Sequence, residues 1–176
     1  MADDFARQLI DHLPRLRRFA ISLTRSRDLA DDLVQAACEK AWASRTSFVP
    51  GTRLDAWLFR ILRNTWIDRA RRASTEGPTV DIDDAYDLVG QNGRDRTEHR
   101  LMLAATAKAI AGLPDDYREV LVLVCVEDLS YREAAEVLGV PIGTVMSRLA
   151  RARAKLGDAL GINHNMARSS DDQGGV

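Results

Sequence analysis

The stretch LSYREAAEVLGVPIGTVMSRLARARAKL, residues 129–156, reads as two short helices joined by a tight turn. Ser130 and Glu133 form a capping-box pair, in which each side chain satisfies a free backbone N–H of the first helical turn. Gly139 ends that helix, since glycine tolerates the left-handed conformation that such a stop requires. Pro141 stands where the second helix begins. The stretch therefore predicts a helix-turn-helix.

The second helix of this motif is predicted to have one apolar face and one polar face. Val145, Leu149, Ala152 and Leu156 recur at helical spacing and form the apolar stripe. No acidic residue lies between Pro141 and Lys155. The opposite face carries small hydroxyls and cations, which suit phosphate groups and guanine edges. The DNA-binding candidates on it are Thr144, Ser147, Arg148, Arg151 and Lys155. The plainer interpretation is a solvated basic face on a surface helix.

The bulk properties limit the classes of protein to which the chain can belong. Its 176 residues suffice for one ordinary domain or two small helical ones. The net charge of −1 is unusual for a free-standing DNA binder, which normally carries a positive excess. Cys38 and Cys125 predict no disulfide framework or metal site and are expected to be small core hydrophobes. The sequence contains no apolar run long enough for a membrane span and no signal-peptide pattern, so we expect a cytoplasmic protein without membrane insertion.

Three helical segments are predicted before residue 73, the first of which Pro14 divides or kinks. The third has six arginines against two aspartates and is therefore a second basic helix. A Pro-Gly pair interrupts the helical period before it, so Ser44–Thr52 is predicted to be a loop with Phe48 at its centre. The segments are Asp3–Arg25, Asp28–Ala43 and Arg53–Arg72.

Residues 73–97 are predicted to form a flexible acidic linker. Seven acidic residues stand against two arginines between Ala73 and Glu98, together with Gly and Pro. A further helix is predicted from about Glu98 to Ala111. The apolar run VLVLVCV could pass for a strand, but the acidic pair before it favours a helix from Asp115 to about Glu127. The fold class is thus all-α, with helical domains at 1–72 and 98–160 and a disordered tail at 161–176.

Several separated motifs, in order, together resemble the extracytoplasmic-function (ECF) class of bacterial RNA polymerase sigma factors. The resemblance implies an alternative sigma factor, with core RNA polymerase, promoter DNA and an anti-sigma factor as partners and with no cofactor, metal or catalytic residue. The first domain would bind polymerase and melt the minus-ten promoter element, and the second would read the minus-thirty-five element. The motifs are DDLVQ (31–35), FVPGT (48–52), AWLFRILRNTWID (56–68), LPDDYREVLVLV (113–124) and the helix-turn-helix.

The resemblance also implies roles for individual residues. Asp32, Gln35 and Glu39 match the face that docks on the polymerase clamp helices, although Ala36 stands where many relatives carry Glu. The segment from Phe48 to Arg53 resembles the loop that receives an extruded promoter base, and two residues of the next helix match positions that contact the same single strand. Met146 stands where many relatives carry a basic residue. The minus-ten candidates are Phe48, Arg53, Arg60 and Asn64.

Two other functions remain open at this point: a sigma-like mimic that sequesters an anti-sigma factor, and a helix-turn-helix repressor. We expect no enzyme, because the three histidines fit no metal spacing and no Gly-rich phosphate loop precedes a helix. The charge pattern also suggests a hypothesis. The acidic linker lies between two basic helices, so the free protein would mask its own DNA contacts until polymerase separates the halves.

Overall fold

The computed structural model describes residues 2–76 and 97–161, here called the first and second halves. Within these ranges the chain forms helices and turns and no strand, which confirms the all-α prediction. The first half contains α1 (Ala2–Thr24), α2 (Arg27–Ala43), a 3₁₀ turn (Arg45–Ser47) and α3 (Leu54–Glu76). The second half contains α4 (Thr97–Ala111), α5 (Asp115–Leu121) with a π-helical continuation (Val122–Val126), α6 (Tyr131–Leu138) and α7 (Ile142–Ala159).

The structure decides between the two alternatives at Pro14 and extends the third predicted helix. Pro14 lies inside a single helix α1, because apolar residues on both sides of it, such as Leu9 and Leu16, pack into one core. Helix α3 continues four residues past Arg72, since nothing stops it before the Gly-Pro pair at 77–78. The rest of the predicted linker, 77–96, and the predicted tail from 162 onward lie outside the described residues.

The first half has its core where α1, α2 and α3 meet. Phe19 and Phe59 pack edge to face, with ring centroids 5.3 Å apart, and neither ring is accessible to solvent. Leucines from all three helices surround this pair. They are Leu16, Leu33, Leu58 and Leu62, each at most 2% exposed.

The second half confirms both the helix-turn-helix and the helical nature of the VLVLVCV run. Ser130 and Glu133 make both hydrogen bonds of the capping box, and Gly139 ends α6 with φ at 65°. Val145, Leu149 and Ala152 are buried, so the apolar stripe of α7 faces the core as predicted.

The two cysteines are less buried than expected. Cys38 is half-buried. Cys125 is exposed, because the π-helical continuation carries the end of its segment to the surface, where Val126 is also 44% exposed. The expectation that both residues belong to the core is therefore wrong for Cys125.

The two halves pack directly against each other. Helix α1 contacts α5 and its π-helical continuation, and α3 contacts α6. The helix-turn-helix is therefore fixed against the first half through α6.

The left-handed turn at Gly139 gives a test of the helix-turn-helix. A Cβ at this position would meet no atom within 4 Å, so the cost of Gly139→Ala is backbone strain alone. We expect it to lower the free energy of unfolding, measured by urea denaturation, by roughly 1–2 kcal/mol. Gly143→Ala is the matched control, because a Cβ at Gly143 would also meet no atom within 4 Å, but Gly143 lies inside helix α7. The control should raise stability by up to about 1 kcal/mol, and equal effects would refute the turn geometry.

Candidate nucleic-acid interface

The outer face of α7 presents three of the five predicted minus-thirty-five residues to solvent. Ser147, Arg151 and Lys155 are exposed and lie four residues apart, so they form one row along the helix. Thr144 is half-buried, and its backbone carbonyl accepts a hydrogen bond of 3.1 Å from the Ser147 hydroxyl. This row can offer two cations and a hydroxyl to a nucleic acid.

Arg148 is held more tightly than its neighbours on this helix. Its Nη2 lies 2.7 Å from Oδ2 of Asp116, and its side chain is only 23% exposed. Asp116 belongs to the first turn of α5, so the ion pair joins α5 to α7 within the second half. Arg148 must exchange this carboxylate for a phosphate or base edge before it can bind DNA.

Two apolar side chains border the basic row. Met146 is 52% exposed and Ile142 is 49% exposed. Sequence reasoning identified Met146 as a departure from many relatives but assigned nothing to Ile142. Together they give this end of α7 an apolar surface that can contact a thymine methyl group.

The predicted minus-ten residues fall into separate groups. Arg60 and Asn64 are exposed and one helical turn apart on α3, so they share a face. Phe48 is half-buried, with its ring centroid 5.6 Å from that of Trp57. It therefore belongs to a cluster that also includes Phe5 and Trp42.

The exposed member of this aromatic cluster escaped the sequence analysis. Trp42 is 41% exposed at the end of α2, and the Arg45 guanidinium lies over its ring, 4.9 Å from the centroid. Aromatic faces beside a cation are suited to stacking on an unpaired base. The signal available in the sequence was the closeness of Trp42 to the Phe48 loop.

Arg53 lies at the contact between the halves. Its Nη1 is 3.1 Å from the backbone oxygen of Asp128 and 3.1 Å from Oε2 of Glu133, both in the second half. Its Nε and Nη2 donate to the carboxylate of Asp55 at 3.0 and 2.6 Å. The structure thus brings Arg60 and Asn64 together but engages Arg53 elsewhere.

Asp55 connects Arg53 to a second arginine. Its Oδ2 also accepts a hydrogen bond of 2.6 Å from Arg15. Burial by itself would raise the pKa of Asp55, but hydrogen bonds from Arg53, Arg15 and the backbone N–H of Ala56 outweigh it and lower the pKa to about 2. The carboxylate is therefore ionised at neutral pH and fixes both guanidinium groups.

The predicted polymerase-docking residues lie together on α2. Asp32, Gln35 and Glu39 are exposed, and the Gln35 amide donates to Oε1 of Glu39 at 3.2 Å. Arg69 of α3 donates to the backbone oxygen of Asp32 at 3.1 Å, which ties this end of the surface to α3. Ala36 is half-buried beside it.

The described residues do not include a candidate metal site. No group of three or more His, Cys, Asp or Glu side chains in 2–76 and 97–161 is placed to hold an ion. None of the helices described is both long enough and apolar enough to cross a membrane.

The buried charged groups of the second half that join the halves had no role in the sequence-based predictions. Arg118, Glu119 and Glu127 are all buried, and their partners include residues of the first half. An acidic residue directly after the VLVLVCV run was the only local hint, and it did not identify a partner.

Comparison with known proteins adds an independent finding. The family described as Sigma-70 region 2 matches residues 9–76, and Sigma-70, region 4 matches residues 103–156. The ECF RNA polymerase sigma factor EcfG of Rhodopseudomonas palustris is 41% identical over 156 residues, which cover 89% of this chain and 84% of that protein. SigM of Mycobacterium tuberculosis, another ECF sigma factor, is 37% identical over 150 residues, covering 85% and 74%.

A solved structure supports the same likeness. The sigma factor RpoE from Bartonella quintana, crystallised with the anti-sigma factor NepR, superposes with a TM-score of 0.76 at 36% identity. The match covers 91% of this chain and 98% of that one.

Asp55 makes the stability of the protein depend on pH. Its pKa is about 2 in the folded protein against an ordinary value of 3.8. A lowered pKa stabilises the fold above the ordinary value, and this contribution disappears as pH falls through the folded value. We expect the free energy of unfolding of the wild type, relative to Asp55→Asn, to fall as pH decreases from about 4 to about 2.

Asp68→Asn is the matched control, since it removes an exposed carboxylate of the same helix that lies 3.5 Å from Lys40. Urea titrations at several pH values measure all three proteins. If the free energies of unfolding of the two variants followed the same pH dependence, Asp55 would not be the source of the pH-dependent stability.

Proposed function

The chain belongs to the extracytoplasmic-function class of RNA polymerase sigma factors, and from that premise we propose how its residues divide the work of promoter recognition. A sigma factor of this class binds core RNA polymerase and directs transcription initiation at specific promoters. The observation that carries the proposal is the order of the two regions, at 9–76 and 103–156, each with a basic helix at its surface. The protein acts in the cytoplasm by positioning polymerase, and none of its side chains is a catalyst.

We propose that the first domain, 1–72 extended by the end of α3, recognises and opens the minus-ten element. Extruding a base from the duplex costs a few kcal/mol, which stacking on an aromatic side chain can offset. Phe48 and Trp42 supply aromatic surface near the loop. Asn64 can both donate and accept a hydrogen bond at a base edge, and Arg60 on the same face neutralises the strand.

The second domain, 98–160, reads the minus-thirty-five element through α7. The 18 residues of this helix extend roughly 27 Å at about 1.5 Å each, and a major groove about 12 Å wide admits a helix lengthwise. Ser147, Arg151 and Lys155 reach phosphates and bases directly, whereas Arg148 joins them by leaving Asp116. Met146 replaces a cationic contact with an apolar one and so shifts the preferred sequence towards thymine.

The remaining exposed face, on α2, is proposed to dock on polymerase through Asp32, Gln35 and Glu39. Carboxylates and an amide suit a basic partner helix. An anti-sigma factor is proposed as the regulator, because the structural relative RpoE was crystallised with the anti-sigma factor NepR.

Reconstituted transcription tests the proposal as a whole. Purified protein and core polymerase are incubated with genomic fragments, and new transcripts are mapped at their start sites. Promoter-specific transcripts that depend on the protein are expected. A protein that binds an anti-sigma factor yet supports no transcript would instead be a sigma-like mimic, and one that only represses transcription would be a repressor.

Asn64→Ala should impair promoter opening while leaving polymerase binding intact, since it removes only an exposed amide. Permanganate reactivity of unpaired thymines in the minus-ten element measures opening, and we expect a decrease on the order of tenfold, for the loss of about 1–3 kcal/mol of base contact. Gln8→Ala removes an exposed amide from α1 and serves as the control. Normal opening by the Asn64 variant would exclude this residue from the site.

Arg151→Ala should weaken the dependence of transcription on the minus-thirty-five element. Loss of one good base contact corresponds to about 1–3 kcal/mol, so initiation should fall roughly tenfold or more at promoters that contain the element. Arg153→Ala is the matched control on the same helix, because Arg153 points instead towards Sγ of Cys125 at 3.8 Å. Equal losses in the two variants would contradict the orientation proposed for α7.

A further inference from the structure

The carboxylate of Glu127 is completely buried between two arginines of the other half. Its Oε2 lies 2.8 Å from Nε of Arg15, and its Oε1 lies 3.0 Å from Nε of Arg18. Arg18 adds a second hydrogen bond of 3.1 Å, and Arg15 also donates to the backbone oxygen of Glu127. We call Arg15, Arg18 and Glu127 the Glu127 clasp.

Local backbone geometry places Glu127 in this position. The π-helical continuation of α5 ends there, and the backbone N–H of Glu127 donates to the Val122 carbonyl five residues earlier. Asp128 then adopts a left-handed conformation with φ at 58°, and the chain turns into α6. The same turn presents the Asp128 carbonyl to Arg53. A non-glycine residue in this conformation persists only where surrounding contacts hold it.

Two further contacts strengthen the joint between the halves. Arg118 of α5 is 1% exposed, and its Nε donates to the backbone oxygen of Ser22 in α1 at 2.5 Å. Glu119 is buried as well, and its Oε2 lies 2.7 Å from Nε of Arg63 in α3. Buried charges of both signs in the second half therefore have partners in the first half.

The chemistry of these contacts suits a joint that opens. A buried ion pair adds little net stability compared with an apolar contact, because desolvation of the charges offsets most of their attraction, but removal of one partner leaves an uncompensated buried charge and is strongly unfavourable. When the halves separate, water and counterions can solvate these charged groups. These charged contacts are thus specific when the halves are together and can be solvated by water when the halves are apart.

We propose that the Glu127 clasp holds the free protein closed, so that Arg53 is withheld from promoter DNA until core polymerase separates the halves. The closed form follows from the contacts themselves, whereas its effect on promoter binding rests on the function proposed above and on the minus-ten role that the family resemblance implies for Arg53. Arg53 is the link between the two, since its guanidinium is bonded to Asp55, Asp128 and Glu133 at the joint.

The test compares full-length variants that break the clasp with opposite changes in charge. Arg18→Gln removes a positive charge and Glu127→Gln removes a negative one. Arg17→Gln is the matched control, because Arg17 is the neighbour of Arg18 on α1 but pairs at 2.6 Å with Asp31 inside the first half. Small-angle X-ray scattering reports compactness, circular dichroism reports helix content, and fluorescence anisotropy reports binding of promoter DNA by the free protein.

We expect both clasp variants to keep their helix content, to increase the radius of gyration and to bind promoter DNA several-fold more tightly. The control should match the wild type in all three measurements. Because the two clasp substitutions change the charge in opposite directions, a shared gain in affinity cannot come from net charge.

Unchanged compactness in the clasp variants would overturn the proposal. Open variants whose affinity for DNA is unchanged would equally overturn the masking of Arg53. If Glu127→Gln does not fold, the Arg18→Gln variant tests the proposal by itself. The Arg18 side chain is 41% exposed, so its replacement leaves no buried cavity. The scattering result does not depend on sigma activity, which transcription by the wild-type holoenzyme tests separately.

Discussion

The burial of the Glu127 carboxylate is the interaction on which the arrangement of the two halves depends. A fully buried carboxyl group requires partners, and in the described part of the chain its side-chain partners are Arg15 and Arg18 of the other half. Arg15 in turn binds Asp55, which fixes Arg53 at the start of α3. Through this chain of ion pairs, the position of the helix-turn-helix is coupled to a residue predicted to contact the minus-ten element.

The near-neutral net charge acquires a structural explanation from the same contacts. A chain with two basic helices and a net charge of −1 must carry its acids elsewhere. The sequence places many of them in the predicted linker, of which residues 77–96 lie outside the described part of the chain. The structure adds acidic groups of the second half, Glu119, Glu127 and Glu133, which pair with arginines of the first. Part of the positive charge of the first half, including that of the proposed DNA contact Arg53, is thus neutralised within the protein.

Local physical rules were sufficient for the features that depend on a few neighbouring residues. The capping box at Ser130, the glycine stop at Gly139 and the buried stripe of α7 follow from spacing and backbone preference, and the structure confirms them. Contacts between distant residues were beyond such rules. Nothing near Glu127 in the sequence identifies Arg15, more than a hundred residues away, and the continuity of α1 through Pro14 depends on packing that a local pattern does not contain. The DNA-binding role of α7 was inferred from its basic, acid-free face, whereas the roles of the minus-ten candidates came from family resemblance.

The distance between the halves, compared in the free protein and on polymerase, tests the account most directly. Dyes can be attached at Ile10→Cys in α1 and Arg132→Cys in α6, both exposed positions, after Cys38 and Cys125 are replaced. Energy transfer between the dyes should give one short distance in the free protein and a longer one after core polymerase is added. The same distance in both states, or a long distance already present in the free protein, would contradict the account.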